Sequence, residues 1–222
     1  MTATVRVNPS QLSRSALHLA AAHIRRGEVV AMPTDTVYGL AVDPFQPGAV
    51  RRLLRLKRRP ETKPILLLVE SLRQVKALAE SAPESLDRLA ARFWPGPLTV
   101  VLAARPSISA LITAGAGTVA VRIPGSLLAR ELIRALGGPV TGTSANLSGR
   151  PAAQTAAQVR QQFPAGLALI LDGGPARSAA LSTIVDLTGT PRIIRQGAVP
   201  ASAVLLCCPT QELSATASEM GQ

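Results

Sequence analysis

EVVAMPTDTVYGLAVDPFQPGAVRRLLRLKRRPETKPILLLV, residues 28–69, reads as strand, helix, strand. Glu28–Met32 is an apolar run closed by Pro33, which suits a buried strand. Pro47 can open a helix that runs to about Lys57, with Val50, Leu53 and Leu54 along its apolar side. Ile65–Val69 is a continuous apolar run bounded by charge, the pattern of a central strand. A helix joining two buried strands is the building unit of α/β domains.

The same pattern extends in both directions. Helices are expected near Leu72–Ala79, Glu84–Arg92, Leu127–Leu136 and Thr155–Gln162. Strands are expected at Leu98–Ala103, Thr118–Ile123, Val140–Thr143, Leu167–Leu171, Thr183–Leu187 and Arg192–Arg195. This interleaving predicts an α/β fold with one large, partly parallel sheet. Upstream, Asn8-Pro9-Ser10-Gln11 has the composition of a helix start with Asn8 as cap. Leu12, Ala16, Leu19, Ala20 and His23 then recur at helical spacing, and Gly27 is a natural stop. The first 27 residues lack acids and carry four arginines, as organelle transit peptides do. An ordinary first helix is the preferred reading, because the segment runs unbroken into a core strand. The domain is expected to occupy residues 1–206, followed by a small, polar and mobile tail over 207–222.

Composition narrows the chemistry. At 222 residues with 47% apolar content the chain can bury one sizeable core, and only 2% aromatics means that core is aliphatic. The net charge of +11 points to a polyanionic ligand such as a nucleotide or RNA. No apolar run reaches the length of a membrane span, and no secretory leader pattern opens the chain, so a cytoplasmic location is expected. The two cysteines are the neighbours Cys207 and Cys208, which cannot form a disulfide framework. His18 and His23, the only histidines, have no ligand-spaced partners and no triad companions, so no protein-bound metal is expected.

Seven of the thirteen residues from Arg51 to Lys63 are basic. Such a run is either a solvated face or an anion site to which Lys57, Arg59 and Lys63 turn. The prolines at 60 and 64 would keep the backbone extended, so that Lys57 and Arg59 share a side and Arg58 faces away. Pro33-Thr34-Asp35-Thr36-Val37-Tyr38 crowds polar groups against a core strand; it is either a self-bonded turn or a ligand contact. Thr141-Gly142-Thr143-Ser144-Ala145-Asn146-Leu147-Ser148-Gly149 is small and hydroxyl-rich, as phosphate-cradling loops are, but it holds no Walker A lysine. Arg122 ends an apolar strand, where it needs either an acidic structural partner or an anionic ligand. Ser182 and Arg195 sit at the edges of neighbouring strands.

Taken in order, Pro-Thr-Asp-Thr-Val-Tyr-Gly-Leu (33–40), Lys-x-Arg-Pro with Lys-Pro (57–64), Phe-Trp-Pro-Gly-Pro-Leu-Thr (93–99), Val-Arg-Ile-Pro (121–124), Thr-Ser-Ala-Asn-Leu-Ser-Gly (143–149), Ser-Thr-Ile-Val-Asp (182–186) and Arg-Gln-Gly (195–197) closely resemble the YrdC-like family. The resemblance spans roughly residues 10–200. It implies a twisted, partly parallel mixed sheet with flanking helices and a basic concave face. It further implies an L-threonylcarbamoyladenylate synthase, which joins L-threonine, bicarbonate and ATP and releases pyrophosphate. By the family motifs, Lys57, Arg59 and Lys63 would bind the triphosphate, with Arg195 on the opposite side. Ser144 and Asn146 would hold phosphates and Thr118 would lie on the nucleotide side. Arg122 would pair with the threonine carboxylate, with Thr36 and Ser182 on the amino acid's polar atoms. Mg²⁺ would arrive on ATP. Transferase proteins of tRNA modification would use the product, and direct contact with RNA stays open. Some relatives carry a histidine where this chain has Leu68. The chain resembles the short, single-domain form. The competing reading is an RNA-binding or ribosome-maturation protein that uses the same basic cleft without chemistry.

Overall fold

The computed structural model describes residues 2–176, 178 and 180–208. Eleven strands are described: β1 Ala3–Arg6, β2 Val30–Pro33, β3 Tyr38–Ala41, β4 Leu67–Leu68, β5 Leu98–Ala103, β6 Thr118–Arg122, β7 Val140–Thr141, β8 Thr143–Ser144, β9 Leu169–Asp172, β10 Thr183–Asp186 and β11 Arg192–Arg195. The helices are α1 Arg14–Arg25, α2 Pro47–Lys57, α3 Leu72–Leu78, α4 Glu84–Phe93, α5 Ala110–Thr113, α6 Leu127–Leu136, α7 Ala156–Gln162 and α8 Ala201–Leu205.

The expected single sheet is two. One runs β1-β9-β2-β3-β8 and the other β11-β10-β5-β6-β4-β7, and each mixes parallel and antiparallel pairs. They divide at Gly142. Val140–Thr143 was expected as one strand, but Val140–Thr141 pairs with β4 while Thr143, together with Ser144, pairs with β3. Gly142 N donates to Leu66 O while Thr141 N donates to Val42 O, so this stretch is bonded to both sheets. A Cβ on Gly142 would lie 2.5 Å from Leu68 Cγ, so only glycine lets the chain cross there. Gly142→Ala is expected to lower stability by about 1–3 kcal/mol through this overpacking, read as a reduced urea midpoint at an unchanged slope.

Strand alternation explains what each face does. In the first sheet Val30, Met32, Leu169 and Leu171 pack beneath α1 and α6, while Ala31, Leu40 and Ile170 join the main core. Both faces are covered. In the second sheet Leu98, Val100, Leu102, Val119, Val121 and Val185 enter the main core. The intervening residues Thr99, Val101, Ala120, Arg122, Ser182 and Ile184 face a cavity instead.

The chain start differs from expectation. Asn8 does not cap a helix; its Oδ1 accepts from Ser10 N at 2.9 Å and closes a local turn. The α1 cap is Ser13, and the preceding β1 extends the first sheet by pairing with β9. At the other end the domain reaches further than residue 206. Cys207 and Cys208 are buried, and Arg88 Nε donates to Cys207 O. The remainder of the expected tail, 209–222, lies outside the described residues.

Candidate active site

The cavity, about 270 Å³, opens between the second sheet, the β2–β3 turn and the strand pair at Gly142. Its lining includes Thr36, Arg59, Arg122, Ser144, Ser182 and Arg195. Six residues that the sequence pointed to, from six separated motifs, therefore converge on one hollow.

The β2–β3 turn is self-bonded, as one reading of it had it, and it also faces the hollow. Thr34 Oγ1 donates to Val37 O at 2.6 Å, and Thr34 and Thr36 share a hydroxyl bond at 3.0 Å. Arg122 reaches into this turn from the end of β6. Its NH1 donates to Thr36 Oγ1 at 3.1 Å, and its Nε donates to Gly96 O at 2.9 Å. The Phe-Trp-Pro-Gly-Pro stretch therefore orients this guanidinium. Its NH2 also lies 2.6 Å from Asp35 Oδ1, so Arg122 has the acidic partner that a buried cation requires. That contact lacks hydrogen-bond alignment, and both atoms are otherwise without a partner among the described residues.

On the far side, Arg195 donates through Nε and NH2 to Ser182 O, and through NH2 to Ser182 Oγ at 3.2 Å. Ser182 Oγ in turn pairs with Thr99 Oγ1 at 2.8 Å. Burial, and then the nearby charge of Arg122, weaken the hold of Arg195 on its proton. Burial does the same to Arg59. Arg59 NH2 donates to Pro64 O, yet its buried Nε has no partner among the described residues. Clustered guanidiniums with unspent donors have the chemistry to bind an anion.

The remaining expected residues take other positions. Lys57 does not line the hollow. The helix continues through it, and the backbone then turns left-handed at Arg58, with φ 51°. That turn, rather than an extended run, separates the side chains: Lys57 points into the core and Arg59 goes to the cavity. Lys57 Nζ donates to Ser144 O and to Asn146 O, the latter at 2.7 Å. Burial, followed by repulsion from Arg59, pulls this amine down to about 7. Asn146 is likewise spent on the loop: Nδ2 donates to Leu147 O and Arg150 O, and Oδ1 accepts from Ser144 Oγ at 2.5 Å. Lys63 is exposed on the approach beside Pro64, which lines the rim. Thr118 is outside the lining but follows the alternation of Ala120 and Arg122, further along the same face. Leu68, the position where some relatives have histidine, contributes apolar wall.

Sequence reasoning assigned no role to Gly96, Thr99 or Asp35. All three lie inside motifs it singled out, but only the tertiary contacts give them work.

Fold and hollow define an α/β domain whose cavity is lined by three guanidiniums. Comparison with known proteins makes this specific. Residues 22–197 match the family model for Sua5, YciO and YrdC proteins, described as telomere recombination. A Pseudomonas putida protein named threonylcarbamoyl-AMP synthase is 41% identical over 179 residues, covering 80% of this chain and 95% of that one. A Pyrococcus abyssi protein of the same name is 40% identical over 185 residues, covering 83% of this chain and 54% of its own length. The crystal structure of P. abyssi Sua5 complexed with L-threonine matches with TM-score 0.88 at 37% identity, over 93% of this chain and 60% of that one. The chain thus spans little more than half of the P. abyssi protein and nearly all of the P. putida one. It belongs to the Sua5/YciO/YrdC family.

Proposed function

We propose that the protein is an L-threonylcarbamoyladenylate synthase, making threonylcarbamoyl-AMP and pyrophosphate from L-threonine, bicarbonate and ATP. The observation that carries this reading is the meeting of Arg59, Arg122 and Arg195 around one cavity in a chain whose relatives bear that name. RNA binding without chemistry is not favoured, because those relatives are named as enzymes and a matched structure holds L-threonine.

In the reaction, an oxygen of the threonine carbamate attacks the α-phosphorus of ATP. The bond from that phosphorus to the pyrophosphate oxygen breaks, and the electron pair leaves with pyrophosphate. Negative charge therefore grows on the departing group, and fixed cations that match it lower the barrier. Arg59 and Arg195 occupy opposite sides of the hollow and take that part, with Lys63 at the approach. Thr118 marks the nucleotide side. Arg122 offers its planar fork to the threonine carboxylate, with Thr36 and Ser182 beside it. Ser144 meets the phosphates by turning its hydroxyl proton from Asn146 to the ligand. Asn146 and Lys57 hold the loop from which it does so. Magnesium travels with ATP as part of the substrate. The product passes, in the cytoplasm, to the transferase that modifies tRNA.

Pyrophosphate release should require L-threonine, bicarbonate and ATP together; release that ignores threonine removes the assignment. Ser144→Ala is expected to slow it by about 10- to 100-fold, since one preplaced donor is lost from the phosphate cradle.

A further inference from the structure

We infer that Asp35 sets the anion preference of Arg122, reserving the Arg122 end of the cavity for a monocarboxylate and excluding polyphosphate. The inference rests on the synthase reading, which puts two anions of very different charge into one hollow.

Three guanidiniums line this cavity, and no carboxylate is among the lining residues described. Asp35 stands immediately behind it, with Oδ1 at 2.6 Å from Arg122 NH2 and both side chains largely buried. A triphosphate seeks net positive charge and would be drawn to every bare cation it can reach. Arg122 and Arg195 are close enough that the charge of one weakens the other's hold on its proton. Left bare, Arg122 would extend the polyphosphate site across the whole cavity. The Arg122–Asp35 pair carries no net charge, while the guanidinium, oriented by Gly96 O and Thr36 Oγ1, keeps further N–H donors on NH1 and NH2. A carboxylate can still be recognised by those directed bonds, while a polyphosphate gains no Coulomb advantage there.

The placement of Asp35 is itself enforced. A Cβ on Gly125 would lie 2.9 Å from Asp35 Oδ2, 3.0 Å from its Cγ and 3.1 Å from its Cβ. The bare glycine backbone after β6 thus makes room for the carboxylate beside the last residue of that strand. Asp35 in this account is a specificity residue that acts through Arg122.

The test is Asp35→Asn, with L-threonine and tripolyphosphate titrated separately by calorimetry and folding checked by circular dichroism. Threonine affinity is expected to fall about tenfold as the fork loses its anchor. Tripolyphosphate affinity is expected to rise about fivefold or more, with a steeper salt dependence, because one cation is unmasked. Structural damage alone would weaken both ligands and cannot produce that gain. If Asp35→Asn does not fold, Gly125→Ala carries the test: it displaces the carboxylate without deleting it and should give the same pair of opposite changes. Tripolyphosphate binding that stays the same or weakens in a folded variant overturns the role of Asp35 alone. Failure of the unsubstituted protein to bind either ligand overturns the synthase reading and this inference together.

Discussion

Replacing Arg122 with leucine is expected to destabilise the protein by about 3–5 kcal/mol and to abolish threonine-dependent pyrophosphate release. Gly96 O and Thr36 Oγ1 lose their donor and Asp35 loses its counter-charge. The largest cost is Asp35, whose mostly buried carboxylate is left without a counter-charge. Arg122→Lys separates stability from recognition. An ammonium restores a charge next to Asp35, so much of the lost stability should return. It cannot reproduce the planar fork, so kcat/KM for threonine should still fall by on the order of 100-fold while ATP affinity changes little. A double variant, Asp35→Leu with Arg122→Leu, removes both charges and should recover stability in urea unfolding without recovering activity. If Arg122→Lys keeps full threonine affinity, the carboxylate is held elsewhere and the amino-acid end of the site has been placed wrongly.

How much of this was open to reading in the sequence depended on whether the deciding forces are local. Helix α2 was legible at both ends because proline fixes its start and its apolar spacing persists to Lys57. The cavity face of the second sheet was legible at Arg122, which ends an apolar strand where a guanidinium needs a partner. β3 was not, because Tyr38–Ala41 is buried at every position and shows no alternation. β1 is short and mostly exposed, and only its pairing with β9 makes it a strand. The division into two sheets turns on the close approach of Gly142 to Leu68, which no window of sequence contains. Cys207 and Cys208 read as the start of a polar tail because burial against the α4 region is a long-range fact. The motif around residue 57 pointed to the region from which Arg59 reaches the hollow. It could not say which of two neighbouring cations faces the hollow, because that follows from one left-handed residue, Arg58.

That residue leads to the second large effect, Lys57→Met. The amine bridges the carbonyls of Ser144 and Asn146 from beneath, so its loss leaves both acceptors buried and unpaired, at about 1–3 kcal/mol each. Without the bridge Ser144 Oγ shifts relative to the phosphates, and a displacement near 1 Å is enough to reduce kcat by about 100-fold. Threonine binding should change little, because Arg122, Thr36 and Ser182 belong to other segments. Stability adds a signature that misfolding would not mimic. The folded amine titrates near 7, below its ordinary value of 10.5, because burial disfavours the charged form. Between those two values the unfolded chain holds a proton that the folded one has released. Unfolding there takes up a proton, and stability rises with pH by at most about 1.4 kcal/mol per unit. Below 7 both states are protonated and the contribution is flat. Throughout, the amine can serve both carbonyls: the ammonium has three N–H groups and the neutral form keeps two. Wild-type stability minus that of Lys57→Met should therefore be small at pH 6, where losing the carbonyl bonds is offset by no longer burying a charge. It should grow steadily from pH 7 to pH 9, since every other titrating group cancels in the difference. Urea unfolding of the two proteins across that range measures it. A difference that stays level or shrinks as pH rises would mean that Lys57 is not buried behind the loop, and that it reaches the phosphates after all.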